Sequence, residues 1–149
     1  MNKSVAFKML MILTFFCTTC LGCGKEAITG NSFFIPKGYE QILKAKGLSE
    51  IAAMPYFKSP FITIAKNNNE DQFAVIIRDT GETEVVKLPV KIEGILKILE
   101  LKGFKITASN IYFKNLHLFE INKRLVWNYE EDAKIYLDLE SKEIDPFKN

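Results

Sequence analysis

At 149 residues, with 48% hydrophobic and 26% charged side chains, the chain has the make-up of a folded domain, not of a disordered or low-complexity segment. Its net charge of +2 comes from 20 basic and 18 acidic groups with interspersed signs, which excludes the clustered basic face of a nucleic-acid binder. A single histidine, and three cysteines all between residues 17 and 23, leave little material for a metal site.

Residues 1–8 carry Lys3 and Lys8 and no acid, and residues 9–22 (MLMILTFFCTTCLG) carry no charge. A basic start, a short apolar core and a small-residue exit predict a signal peptide over 1–22. The run is shorter than the roughly 20 apolar residues that span a bilayer. At its exit, Cys20-Leu21-Gly22-Cys23 resembles the lipobox of bacterial lipoproteins. That resemblance implies cleavage before Cys23 and lipid attachment on Cys23, with the chain held at a cell membrane or outer membrane, outside the cytoplasm. An ordinary cleaved signal peptide with cysteines in its apolar core is the alternative. On the lipoprotein reading, Cys17 and Cys20 leave with the signal and Cys23 is capped. The mature chain then has no thiol for a disulfide, a nucleophile or a metal. It also loses Lys3 and Lys8, leaving 18 basic and 18 acidic groups.

Residues 23–33 read as the lipidated cysteine and a small, polar tether, and 34–145 as the folded domain. Pro36 to Gly47 predicts a short helix with a glycine stop. Pro60–Asn67, Gln72–Asp79 and Glu82–Leu88 read as strands, joined by turns at Asn67–Asp71 and Thr80-Gly81. Ile92 to Gly103 has apolar residues at 92, 95, 96, 98, 99 and 101, a broad helical face again closed by glycine. Phe104–Tyr112 is a strand or an extended link. Leu116–Ile121, Arg124–Tyr129 and Ala133–Leu139 read as strands, with a turn at Glu130–Asp132. In the strand Arg124–Tyr129, alternation puts Leu125, Trp127 and Tyr129 on one face.

The halves resemble each other at an offset of 56 residues. Gly38, Ile42, Leu43, Lys46, Gly47, Ala52 and Tyr56-Phe57-Lys58 fall on Gly94, Ile98, Leu99, Lys102, Gly103, Ala108 and Tyr112-Phe113-Lys114. The expected fold is therefore α+β: two similar helix-plus-antiparallel-sheet units, 37–88 and 93–140, packed as one compact domain. In such an arrangement each helix covers a face of its own sheet.

The second half is also similar to the PepSY family, small domains of peptidase propeptides and bacterial envelope proteins. The residues concerned are the helix Gly94–Gly103, the strand Arg124-Leu-Val-Trp127 and the closing Ile135-Tyr-Leu-Asp-Leu-Glu-Ser-Lys-Glu-Ile144. Where the family turn carries glycine, this chain has Ser141-Lys142. The resemblance implies an α+β module that restrains peptidases or mediates contacts in the envelope, without catalysis.

Residues suited to chemistry are few. His117 sits in an alternating strand with no nucleophilic cysteine to serve, and reads as a strand residue without special role. Ser59, Ser109 and Ser141 lack a nucleophile-elbow context. Glu130-Glu131-Asp132 suits a solvated turn, and no calcium-loop or phosphate-loop pattern occurs. Twelve Phe, five Tyr and one Trp remain. Phe33-Phe34, Tyr56-Phe57, Tyr112-Phe113 and Trp127-Asn-Tyr129 either line a ligand groove or, as is commoner, fill the core. The expected function is that of a lipid-anchored, non-catalytic binding or inhibitory module with an envelope protein or peptide as partner. It would use no cofactor, no metal and no nucleic acid. A structural lipoprotein of a membrane complex is the alternative, and a hydrolase is less favoured. A fatty-acid analogue fed to expressing bacteria should label the wild-type chain and leave Cys23→Ser unlabelled; label surviving in Cys23→Ser would refute the lipobox reading.

Overall fold

The computed structural model describes residues 32–106 and 115–148. Helix α1 (Tyr39–Ala45) leads into strands β1 (Ser49–Met54), β2 (Phe61–Lys66), β3 (Gln72–Ile77) and β4 (Thr83–Lys87). Helix α2 (Ile92–Leu101) precedes β5 (Leu116–Ile121), β6 (Arg124–Glu130) and β7 (Lys134–Leu137). Both sheets are antiparallel meanders, β1-β2-β3-β4 and β5-β6-β7, so the fold is α+β.

The two central strands of the first sheet explain its packing. FITIA in β2 is buried at all five positions, and β3 is nearly so. Alternation sends Phe61, Ala65, Val75 and Ile77 to one face, where they pack with Leu43 of α1. Ile62, Ile64, Ala74 and Ile76 point to the other face. There they join Ile92, Ile95 and Leu99 of α2 and Leu116, Leu118, Trp127, Tyr129, Ile135 and Leu137 of the second sheet. The apolar clusters are thus not divided one per half of the chain. The larger one is shared by both sheets with α2, because a sheet that is apolar on both faces needs two covers.

Both helices end in the same way. The Leu48 N–H donates to the Leu43 carbonyl (2.9 Å) and Gly47 N–H to Lys44 (3.0 Å). At the 56-residue offset, Phe104 N–H donates to Leu99 (3.1 Å) and Gly103 N–H to Glu100 (2.9 Å). Gly47 and Gly103 take left-handed φ values of 68° and 93°, which this closure requires and glycine adopts freely. The helix starts differ. Gly38 is the left-handed residue before α1, whereas Gly94 lies inside α2, where a Cβ would come within 2.8 Å of Val90 Cγ1. The matching Ala108 and Tyr112-Phe113-Lys114 lie outside the described residues, as does most of the expected strand or link at 104–112.

The start of α2 is capped from a distance. Lys91 precedes the helix and offers no capping side chain. Gln72, buried at the head of β3, supplies it: its Oε1 accepts from Ile92 N–H (2.8 Å) and its Nε2 donates to both Glu93 carboxylate oxygens (3.2 and 2.9 Å). A first-turn N–H that would otherwise be orphaned is satisfied, and α2 is pinned to the first sheet.

Strand β1 is the element that the sequence reading lacks. Ser49-Glu-Ile-Ala-Ala-Met54 has weak strand preference, and a bulge at Ile51 interrupts its pairing with β2. Ser141, in the turn after β7, has a φ of 70°, the region that glycine occupies without cost. Trp127 is 1% exposed and lies in the shared core, and Val126 and Asn128 on the opposite face are buried too. Replacing Gln72 with alanine should cost about 1–2 kcal/mol of stability, the range for a lost cap or buried hydrogen bond. Trp127→Ala should cost about 3–5 kcal/mol. Denaturant titration reads both; a Gln72→Ala chain as stable as wild type would show that the cap is dispensable.

Candidate functional site

A groove of about 550 Å³ lies among the described residues on the outer side of the second sheet. Its floor comes from His117, Phe119, Asn128 and Tyr136, which face away from the shared core on alternate positions of β5, β6 and β7. Tyr56, Lys58 and Pro60, from the crossing between β1 and β2, form one wall, and Phe147 stands at the far end. The rings are in contact. Tyr56 meets Phe119 edge-on at 5.1 Å, Phe119 stacks on His117 at 5.5 Å, and Tyr136 meets Phe147 at 5.7 Å.

Five consecutive residues of β5, His117 to Ile121, line this groove. Successive side chains of a strand point to opposite faces, so a cleft that touches all five reaches the strand's edge. The hydrogen-bond phase shows which backbone groups point that way. Glu130 N–H donates to Asn115 carbonyl at 3.0 Å, and Asn115 lies opposite Glu130 in the β5–β6 register. Antiparallel pairs alternate, so His117, Phe119 and Ile121 bond to β6, and Leu118 and Glu120 direct their N–H and C=O outward. Among the described residues β5 pairs with β6 alone.

The opposite edge of the same sheet is closed. Beyond β7 the chain turns back, with Asp138 N–H donating to Lys142 carbonyl (2.9 Å) and Ile144 N–H to Tyr136 carbonyl (3.0 Å). This return also brings Ile144 and Pro146 beside Val126. In the first sheet, outer strand β4 carries Glu84 and Lys87, and β1 carries its bulge. Charge and bulges are common ways to discourage strand addition.

Charged groups around the groove are mostly paired. Lys134 Nζ lies 2.6 Å from Glu130 and 5.8 Å above the ring of Tyr136. Glu120, on the core side of β5, receives both Arg78 Nη groups at 2.6 and 2.9 Å, tying the end of β3 to β5 at the rim of the core. That two-pronged contact holds the Glu120 carboxyl below its ordinary value, against the opposing effect of burial. On the far side of the first sheet, burial and a hydrogen bond with Glu50 push the Tyr39 hydroxyl up to about 12. Glu50 also accepts from Thr63 Oγ1 (3.1 Å), so this cluster serves to hold α1.

The residues singled out in the sequence separate. Tyr56 and His117 both line the groove, and His117 is therefore a floor residue as well as a strand residue. Trp127 and Tyr129 lie in the shared core, and Phe34 packs against the cluster under α1. Phe33 and Phe57 are exposed. Cys23, Tyr112 and Phe113 lie outside the described residues. Phe119, Tyr136 and Phe147 contribute to the groove without having been singled out, since each looks in sequence like an ordinary strand or tail residue. Among the described residues no group of three or more His, Cys, Asp or Glu is placed to hold a metal, and no helix is long and apolar enough to cross a membrane.

Glu120 contributes acid sensitivity with a definite sign. A lowered folded-state value stabilises the fold above the ordinary 4.5, and this stabilisation is lost as pH falls through the lowered value. Glu120→Gln should cost about 1–2 kcal/mol at pH 7, between exposed ion pairs and charge-assisted hydrogen bonds. It should also flatten the stability profile below pH 4.5. An unchanged acid slope in Glu120→Gln would show that Arg78 does not hold this carboxylate. No protein-family model, no curated protein and no solved structure matches the chain.

Proposed function

We propose that the chain is a lipid-anchored, non-catalytic binding module that captures an extended peptide segment of an envelope protein. The observation that carries this reading is the edge of β5, which pairs with β6 alone among the described residues and lies along an aromatic groove. An added strand gains main-chain hydrogen bonds from Leu118 and Glu120, and its alternate side chains enter the space between Tyr56, Phe119 and Tyr136. Backbone pairing supplies affinity that tolerates sequence variation, and the ring-lined pockets supply selection. A lipid on Cys23 would confine the module to the membrane surface and raise its effective concentration towards partners there.

Two features favour binding over hydrolysis. Most of the groove's ionisable side chains are engaged with neighbours: Lys134 with Glu130, Glu120 with Arg78, and His117 with Phe119; Lys58 in the wall forms no ion pair among the described residues. Converging carboxylates, the arrangement that would support acid–base work, do not occur in it, since Glu120 and Glu130 each face their own cation.

The test uses peptides selected from a displayed random library against the purified chain. A selected peptide should bind Phe119→Ala at least about 10-fold more weakly, a loss of roughly 1.4 kcal/mol. N-methylation of the peptide's backbone should weaken binding about 10-fold at every second residue and leave the intervening positions unaffected, since only one set of N–H groups faces β5. Peptides that tolerate N-methylation throughout, or bind Phe119→Ala as well as wild type, would refute strand addition.

A further inference from the structure

The first described stretch of the domain carries exposed apolar side chains that the fold does not use. Phe34 N–H donates to Tyr56 carbonyl at 2.7 Å, which fixes residues 33–35 as an extended segment. Phe34 turns inward to the cluster under α1. Phe33 and Ile35 therefore project outward, at 52% and 51% exposure. Phe57, 51% exposed, stacks on Phe33 at 5.0 Å, and Tyr56 beside it is 44% exposed. These four residues make a ridge of three rings and one branched aliphatic chain. Lys37 and Lys58 flank it, and neither forms an ion pair among the described residues. The acids near Tyr56 and Lys58 are engaged elsewhere: Asp79 bonds to Ser59, Glu120 pairs with Arg78 and Glu130 with Lys134.

We infer that this ridge is a membrane-facing surface, seated in the headgroup region of the bilayer that holds the anchor. The inference rests on the lipoprotein reading of Cys23, and position along the chain decides the occupant. Phe33 follows Cys23 by ten residues, which reach at most about 35 Å when fully extended. An anchored chain thus delivers the ridge to the bilayer surface before any other part of the domain. Aromatic side chains beside unpaired lysines are the combination that settles at a lipid interface, rings at the acyl boundary and ammonium groups among anionic headgroups. Tyr56 links the ridge to the groove through its contact with Phe119. Seating the ridge would turn the mouth of the groove towards segments that emerge from the membrane.

The test uses the full, lipidated chain in vesicles of phosphatidylcholine and phosphatidylglycerol with brominated acyl chains. Phe57→Trp places an indole on the ridge; Val85→Trp places one on β4, exposed but remote in the sheet order. Flotation first shows whether the chain is anchored. Measured as the difference from the wild-type chain, whose Trp127 is buried, the Phe57→Trp indole should lose about half its emission to bromine, as a ring lying ~5–10 Å into the interface does, and the Val85→Trp indole should lose none. Anchored chains with no quenching at Phe57→Trp, or with equal quenching at both positions, overturn the inference and leave the anchor standing. A Phe57→Trp indole untouched by bromine but shielded from aqueous iodide by added envelope protein would assign the ridge to a protein partner instead. Chains that fail to float overturn both readings together.

Discussion

The first sheet is apolar on both faces, and a helix of seven residues can cover only one of them. This constraint organises the rest of the domain. Ile62, Ile64, Ala74 and Ile76 would be left in water unless the second half of the chain were laid over them. Helix α2 supplies three fully buried side chains, and the second sheet supplies the remainder of the cover, with Trp127 and Tyr129 as its largest pieces. Two polar contacts give the arrangement its register. Gln72 ties the start of α2 to the head of β3, and Arg78 ties the tail of β3 to Glu120 on β5. Apolar burial brings the layers together, and these directional bonds select one alignment among many of similar contact area.

The consequence for function is a matter of edges. A three-stranded sheet with one face committed to a core has two edges and an outer face to manage. The chain closes the β7 edge with its own C-terminal return, through Asp138–Lys142 and Tyr136–Ile144. It dresses β4 with charge and kinks β1 with a bulge. On β5 neither a bulge nor a covering return is seen among the described residues, its one carboxylate, Glu120, is taken up by Arg78, and aromatic rings stand beside the edge. An unblunted edge next to a groove is a hazard unless it is used, which makes the contrast between β5 and the other edges the physical ground for a binding role.

How much of this could be read in the sequence depends on how far apart the interacting residues lie. Strands β2 to β7 and both helices follow from local pattern: FITIA and FAVII as apolar runs, the Thr80-Gly81 turn before β4, the spacing of Ile92, Ile95 and Leu99, and Gly47 and Gly103 as stops. Strand β1 does not, because Ser-Glu-Ile-Ala-Ala-Met has little strand preference of its own and is held by pairing with β2. The cap on α2 is invisible to any local rule, since a glutamine 20 positions upstream does what a serine or aspartate next to the helix usually does. The groove is similarly non-local. Tyr56 and Phe119 become neighbours only once the two sheets share a core, and alternation alone cannot say whether an aromatic on the outer face meets solvent or a wall. The division of the aromatics, with Trp127 in the core and Phe57 outside it, is therefore a result of tertiary packing and not of composition.

Amide hydrogen exchange along β5 tests the open edge most directly. Exchange resolved to single residues, at a pH where the fold is intact, separates N–H groups that bond to β6 from those that point outward. The account predicts alternation: His117 and Phe119 protected, Leu118 and Glu120 exchanging at least about 10-fold faster, as unbonded edge amides do in a strand with one partner. Uniform slow exchange through residues 117–120 would show that another part of the chain already occupies the edge, and would contradict the binding account at its base.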